Sequence, residues 1–228
     1  MRQMRWRVAI EEDGFAVLPA LFPPEYLDCL MEKIERLSPR RSRAGARHAL
    51  RLAPVEEVAR HQRLMEVATE VLGAGAFPFP ATLFDKSPAA NWLVVWHQDT
   101  ALPLRSRRQL PGWGAMVDQG RYAHAPAASL SQVLALRLSL DDSTAENGPL
   151  RVLPRTHTLG VLSDDSIHDL STRLSPAECT SRKGGVVAMR PLLVHASSKS
   201  QPETRKRVLH VEYAASDSIA EPLELAVA

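Results

Sequence analysis

The segment 91–100 constrains this chain more than any other, because the apolar run Trp92-Leu93-Val94-Val95-Trp96 ends in His97-Gln98-Asp99. In an extended chain side chains repeat every two residues, so His97 and Asp99 leave one face and can bind one metal ion together. A second apolar run, Leu192-Leu193-Val194, ends far downstream in His195. Two histidines and one carboxylate on neighbouring strand ends would make the facial triad of non-haem Fe(II) sites, which leaves coordination positions open for a cosubstrate and O2. A His-x-Asp step alone is a weak signal, since such steps also occur in loops and surface pairs. The distal His195 and the basic cluster after it make the set specific. His97, Asp99 and His195 are therefore the expected metal ligands and catalytic centre.

Composition bounds the rest. A chain of 228 residues with 45% hydrophobic content can bury one substantial core. One domain over 1–228 is expected, with a helical scaffold at about 1–76 and a β core at about 77–215. The net charge of +2 is mild, and Arg40-Arg41-Ser42-Arg43 with Arg47 form only a short run. A solvated face is favoured there over a nucleic-acid or membrane surface. Cys29 and Cys179 make no disulfide framework. The basic start is followed by Glu11-Glu12-Asp13 without an apolar signal core, and no stretch reaches the length of a membrane span. Cytoplasmic residence is expected, as a monomer or homodimer.

Along the chain, Gly14 to Pro19 reads as a short strand. Pro23 and Pro24 suit a helix start, and Leu27, Leu30, Met31, Ile34 and Leu37 recur as one stripe before Pro39. Val55 to Leu72 predicts a second amphipathic helix, stopped by Gly73-Ala74-Gly75. From Phe77 the character changes, with Pro78, Pro80 and Pro88 breaking up short β-type runs such as Ala81 to Phe84. Thr100 to Ser131 is rich in Gly and Pro, shows little periodicity and is the expected lid over the site. Its Arg105, Arg107, Arg108 and Arg121 are candidates to meet an anionic substrate.

Val133 to Asp142 alternates, with four leucines on one face and Arg137, Ser139 and Asp141 on the other. Asn147-Gly148 predicts a tight hairpin turn with a return strand at Leu150 to Leu153. His157 reads as structural, Asp164 to Cys179 as polar with a short helix. Val186 to Met189, the His195 run and Val208 to Tyr213 read as further strands. The pattern predicts a mainly β fold with flanking α, a double-stranded β-helix (jelly-roll, cupin-like) core with N-terminal helices.

Asp13-Gly14-Phe15, Trp96-His97-Gln98-Asp99, Leu140-Asp141-Asp142, Glu146-Asn147-Gly148-Pro149-Leu150, His195-Ala196-Ser197-Ser198 and Val208 to Tyr213 together resemble the phytanoyl-CoA dioxygenase family across nearly the whole chain. The resemblance implies an Fe(II)- and 2-oxoglutarate-dependent dioxygenase, a hydroxylase using O2, on a double-stranded β-helix. It implies that His97, Asp99 and His195 hold iron and that Ser197 and a basic residue after the distal His hold the 2-oxoglutarate carboxylate. The family pattern has an arginine there, whereas this chain offers Arg205-Lys206-Arg207. Ungapped comparison points to Lys206; Arg205, with Arg207 second, is preferred because a planar guanidinium pairs with a carboxylate through two parallel bonds. Lys86 and Asn91 are further cosubstrate candidates, and Trp113 is placed near the substrate. By the same resemblance, the retained Asp99 favours oxidation such as hydroxylation over halogenation. The expected partner is a small-molecule substrate. The alternative, a non-catalytic cupin-like metal-binding or sensory protein, rests on the irregular basic cluster.

Overall fold

The computed structural model describes residues 2–37, 45–88, 90–105, 112–117, 121–200, 205–221 and 223–227. Helix α1 (Arg2–Glu12) leads into β1 (Phe15–Leu18); α2 (Pro24–Arg36) precedes β2 (Gly45–Ala46), α3 (Ala53–Ala59) and α4 (Gln62–Leu72). Strands β3 (Phe77–Lys86), β4 (Val94–His97), β5 (Ala101–Pro103), β6 (Met116–Val117) and β7 (Tyr122–His124) follow. After α5 (Ala127–Leu130) come β8 (Val133–Ser139), β9 (Leu150–Val152), α6 (Asp164–Arg173), β10 (Ala177–Cys179), β11 (Val186–Met189), β12 (His195–Ser197) and β13 (Lys206–Ala214).

A six-stranded sheet runs β1-β11-β8-β13-β3-β2, and a four-stranded sheet runs β10-β9-β12-β4, every pairing antiparallel. Their inner faces meet through Ala135, Val187 and Met189 on one side and Leu150, Val152 and Leu193 on the other. This is the expected double-stranded β-helix. The outer face of the large sheet carries Leu134, Leu136, Leu138, Leu209, Val211 and Tyr213, packed against α2, α3 and α4. Each fully buried leucine there contributes roughly 1.5–3 kcal/mol. The Tyr213 hydroxyl donates to the Ala59 carbonyl (2.7 Å), so the one polar atom of that side chain is satisfied.

The α2 stripe is buried at Leu27, Leu30, Met31 and Ile34, while Leu37 forms the exposed C-cap. Pro39 and the arginines at 40, 41 and 43 lie outside the described residues. One element was missed and three local readings need correction. Helix α1 was not read from the sequence; among its described side chains Trp6, Ala9 and Ile10 pack on the core, with Val8 exposed. The predicted helix over 55–72 is two helices, because extended His61 (ψ 137°) breaks it and caps α4 by accepting from the Arg63 amide. Pro78 and Pro80 lie inside β3, tolerated where β2 no longer covers that edge and where β13 bulges between Val211 and Tyr213. Finally, β8 and β9 are not a hairpin. Asn147 ties the turn by accepting from Thr144 N and donating to Asp142 O, but β9 then joins the opposite sheet beside β12.

The segment read as lacking periodicity holds a small sheet, β5-β7-β6, and α5. Arg105 pairs with Glu224 at the surface, and Arg107 and Arg108 lie outside the described residues. Both cysteines are free thiols. Among the described residues no helix is long and apolar enough to cross a membrane.

Candidate metal centre

Strands β4 and β12 pair so that His97 lies directly across from His195. Their rings sit 4.2 Å apart between centroids, and Asp99 reaches both: Oδ1 lies 3.6 Å from His97 Nε2 and Oδ2 lies 3.4 Å from His195 Nε2. Each ring is oriented the same way. His97 Nδ1 donates to the Val95 carbonyl and His195 Nδ1 to the Leu193 carbonyl, both at 2.8 Å, the tautomer that leaves each Nε2 as a lone-pair donor.

Gln98, between the ligands, is buried and fully used. Its Nε2 donates to the Gly160 and Leu192 carbonyls (2.9 and 2.7 Å), and its Oε1 accepts from Leu162 N (2.8 Å). Sequence reasoning passed over Gln98, although it fastens the backbone of the motif. Burial pushes His195 down to about 4. Burial works against ionised Asp99, but the charges and bonds of His195 and His97 outweigh it and hold the carboxyl below its usual range. For His97 burial opposes the charged form and Asp99 more than compensates, so its value rises. Two imidazole nitrogens and an ionised carboxylate on one wall of a cavity fit iron.

The cavity, about 660 Å³, lies between the two sheets. Alternation along β13 turns Lys206, Val208, His210 and Glu212 into it, beside Thr82, Phe84 and Lys86 of β3 and Arg137 of β8. A second group of donors, Asp99, His210 and Glu212, lies within 4.8 Å of one another. Both His210 nitrogens are engaged, Nδ1 by Arg137 (3.0 Å) and Nε2 by Glu212 (3.2 Å), so His97-Asp99-His195 is the set available to a metal. Burial raises the Glu212 carboxyl, with the His210 bond opposing.

At the other end Lys86 and Lys206 face each other in register. Lys86 Nζ donates to Ser197 Oγ (2.8 Å) and the Ser198 carbonyl (2.6 Å), and Lys206 Nζ donates to the Gly148 carbonyl. Burial, then Arg137, lowers Lys86 to about 8; burial, then Lys86 and Arg137, lowers Lys206 to about 7. Gly148 is required here: its φ is +67°, and a Cβ would lie 2.3 Å from the Ser198 carbonyl oxygen.

The structure places the preferred cosubstrate arginines away from the cavity. Arg205 is bidentate to Asp85 (2.7 Å for both bonds) and pairs with Glu35, and Arg207 is bidentate to Asp141 (2.8 and 2.7 Å). Neither borders the cavity, because alternation sends Lys206 inward and its neighbours out. Asn91 is likewise elsewhere, bonding both backbone groups of Ser200 (2.7 and 2.9 Å). Trp113 packs on the cluster containing Leu102 and Leu130 and does not line the cavity. The segment after the motif reaches the cavity through Val117, Tyr122 and His124 instead.

Residues 10–208 match the family model described as phytanoyl-CoA dioxygenase (PhyH). The chain belongs to the phytanoyl-CoA dioxygenase family. One relative, L-proline trans-4-hydroxylase of Streptomyces griseoviridis, is 25% identical over 178 residues; the match covers 66% of this chain and 59% of the hydroxylase. Among solved structures, AviO1 from Streptomyces viridochromogenes Tue57 is 21% identical (TM-score 0.69; 92% of this chain, 94% of that one). Apo EctD from S. alaskensis is 20% identical (TM-score 0.71; 94% and 77%). The epimerase SnoN, solved with Fe3+, alpha ketoglutarate and nogalamycin RO, is 16% identical (TM-score 0.72; 95% and 84%). These likenesses carry the fold, and family membership supports a dioxygenase-type function.

Proposed function

We propose that this chain is an Fe(II)- and 2-oxoglutarate-dependent dioxygenase of a small-molecule substrate, acting as one domain and most simply as a hydroxylase. The observation that carries the reading is one cavity lined by both the His97-Asp99-His195 set and a buried lysine pair. His97, Asp99 and His195 would hold iron; Lys206, Lys86 and Ser197 would hold the distal carboxylate of 2-oxoglutarate. When bound, iron and 2-oxoglutarate supply oxidation of a C–H bond by O2 with release of succinate and CO2.

The chain's own part is binding and exclusion. Phe84 and Val208 form the row between the lysines and the row of Thr82 and His210. Rows two residues apart are about 7 Å apart along a strand, which suits an anion at the lysines and its methylenes on the apolar row. Trp92, Val94 and Leu150 complete a dry wall on that side. The irregular basic cluster that supported a non-catalytic reading does not interrupt this arrangement, since Lys206 points inward. Calorimetry with Mn(II) in place of iron tests the proposal. 2-Oxoglutarate should bind the metal-loaded protein tightly and the His195→Ala protein poorly; metal-independent binding, or none, would reject it. The substrate is then sought by succinate release across a small-molecule screen.

A further inference from the structure

Among the described residues lining the cavity there are two carboxylates, Asp99 and Glu212, and the metal set uses only Asp99. Glu212 lies on the same face of β13 as Lys206 but toward the opposite end of the strand, so the cavity has the lysine pair at one end and this acid, with Arg137 behind His210, at the other. A chain of hydrogen bonds holds this acid from behind. Arg137 Nη1 can only donate, so His210 Nδ1 accepts (3.0 Å) and His210 carries its ring proton on Nε2, which donates to Glu212 Oε1 (3.2 Å). Oε2 accepts no hydrogen bond among the described residues, while the side chain borders the cavity beside Asp99. The Glu212 side chain is only 15% exposed, and a carboxylate so shielded from water is costly until a cation or strong donor meets it.

We propose that Glu212 is the substrate-recognising acid, and that the substrate carries a protonated amine received by Glu212 next to the carbon that is oxidised. This rests on the oxygenase reading and adds the substrate class. The two ends sort the two ligands by charge: a dianionic cosubstrate is drawn to Lys86 and Lys206, and a cationic group to Glu212. An anionic substrate group placed against Glu212 would meet a like charge, whereas the charge of Asp99 is offset by the metal that it holds. A hydroxyl would satisfy Oε2 without neutralising the acid. His210 is a positioning residue for Glu212, since both of its ring nitrogens are already engaged, by Arg137 and by Glu212 itself.

The test uses the full chain loaded with Zn(II) and 2-oxoglutarate, in ligand-observed saturation-transfer NMR. The probes are piperidine, cyclohexylamine and L-proline, each beside an oxygen counterpart: tetrahydropyran, cyclohexanol and 2-tetrahydrofuroic acid. At least one amine should bind tenfold or more tightly than its counterpart, and Glu212→Gln should erase that preference while leaving 2-oxoglutarate affinity unchanged. Equal binding within every pair, no amine bound at all, or a preference that survives Glu212→Gln overturns the assignment. Should Glu212→Gln also lose 2-oxoglutarate through misfolding, the comparison in the unaltered protein decides. Failure of the unaltered protein to bind 2-oxoglutarate strikes the oxygenase reading instead, because the amine pairs can still be compared on the Zn(II)-loaded protein.

Discussion

Lys206 lies directly across from Lys86 in the β13–β3 ladder, and among the described residues neither ammonium has a carboxylate within ion-pair distance. Two adjacent buried cations repel, so the arrangement is incomplete until an anion lies between them. That makes the pair the expected cosubstrate anchor. Lys206→Ala should raise the 2-oxoglutarate dissociation constant about tenfold to a hundredfold, from a charge-assisted bond of roughly 1.5–3 kcal/mol. Arg205→Ala and Arg207→Ala should leave it within about threefold, since those guanidinium groups serve Asp85 and Asp141. Calorimetry on the three variants checks the ranking, and a large effect at Arg205 with none at Lys206 would reverse it.

A pH dependence follows from the same pair. Lys206 titrates at about 7 and Lys86 at about 8 in the unliganded fold, against an ordinary 10.5. Anion binding needs the ammonium forms, so 2-oxoglutarate affinity should be greatest below about pH 7 and weaken as pH rises through both values. For folding the sign is opposite. Between about 7 and 10.5 the unfolded chain holds more protons than the fold, so this pair makes the unliganded protein more stable as pH rises through that window. Lys206→Met should flatten both trends; unchanged slopes in binding titrations and denaturant melts would separate Lys206 from them.

Metal linkage offers a readout free of turnover. At a metal concentration near a hundred times the dissociation constant, a site present only in the fold adds about 2.7 kcal/mol to stability. Mn(II) should therefore shift the urea midpoint of the unaltered protein upward and leave His97→Ala and His195→Ala where they are. Equal shifts in all three would mean that the ion binds elsewhere.

Gly148 joins fold and site. With a φ of +67° and the Ser198 carbonyl 2.3 Å from where a Cβ would stand, Gly148→Ala should cost more than about 1 kcal/mol of stability. Because Ser197 Oγ (2.9 Å) and Lys206 both donate to the Gly148 carbonyl, the same change should weaken 2-oxoglutarate binding. A fully stable Gly148→Ala protein with ordinary affinity would show that the turn relaxes freely.

How much of this was legible beforehand depended on whether the information was local. The triad was readable because alternation at a strand end fixes His97 against Asp99 without reference to the rest of the fold. The β8 face was readable for the same reason: Leu134, Leu136 and Leu138 went to the helices and Arg137 and Ser139 to the inner side. The choice among Arg205, Lys206 and Arg207 was not local. It turns on the register of β13 against β3, which puts Lys206 on the cavity face and Arg205 and Arg207 on the other. The destination of β9 was hidden likewise, since Asn147-Gly148 specifies a turn but not which sheet receives the next strand. Asn91 and Trp113 were singled out for type and neighbourhood, and each has a structural partner that sequence separation conceals.

Strand β13 divides its labour by parity. Leu209, Val211 and Tyr213 belong to the helix-covered core, while Lys206, Val208, His210 and Glu212 belong to the cavity. Inserting or deleting one residue ahead of the strand would exchange the two sets and lose both. Substitution at even positions, by contrast, leaves the core face untouched. Lys206 and Glu212 are also about 20 Å apart along the strand, far enough for one to change without the other. With Lys206 and Glu212 in their proposed roles, a change at the Glu212 end would alter the substrate while leaving the cosubstrate anchor and the fold in place, a latitude built into the alternation itself.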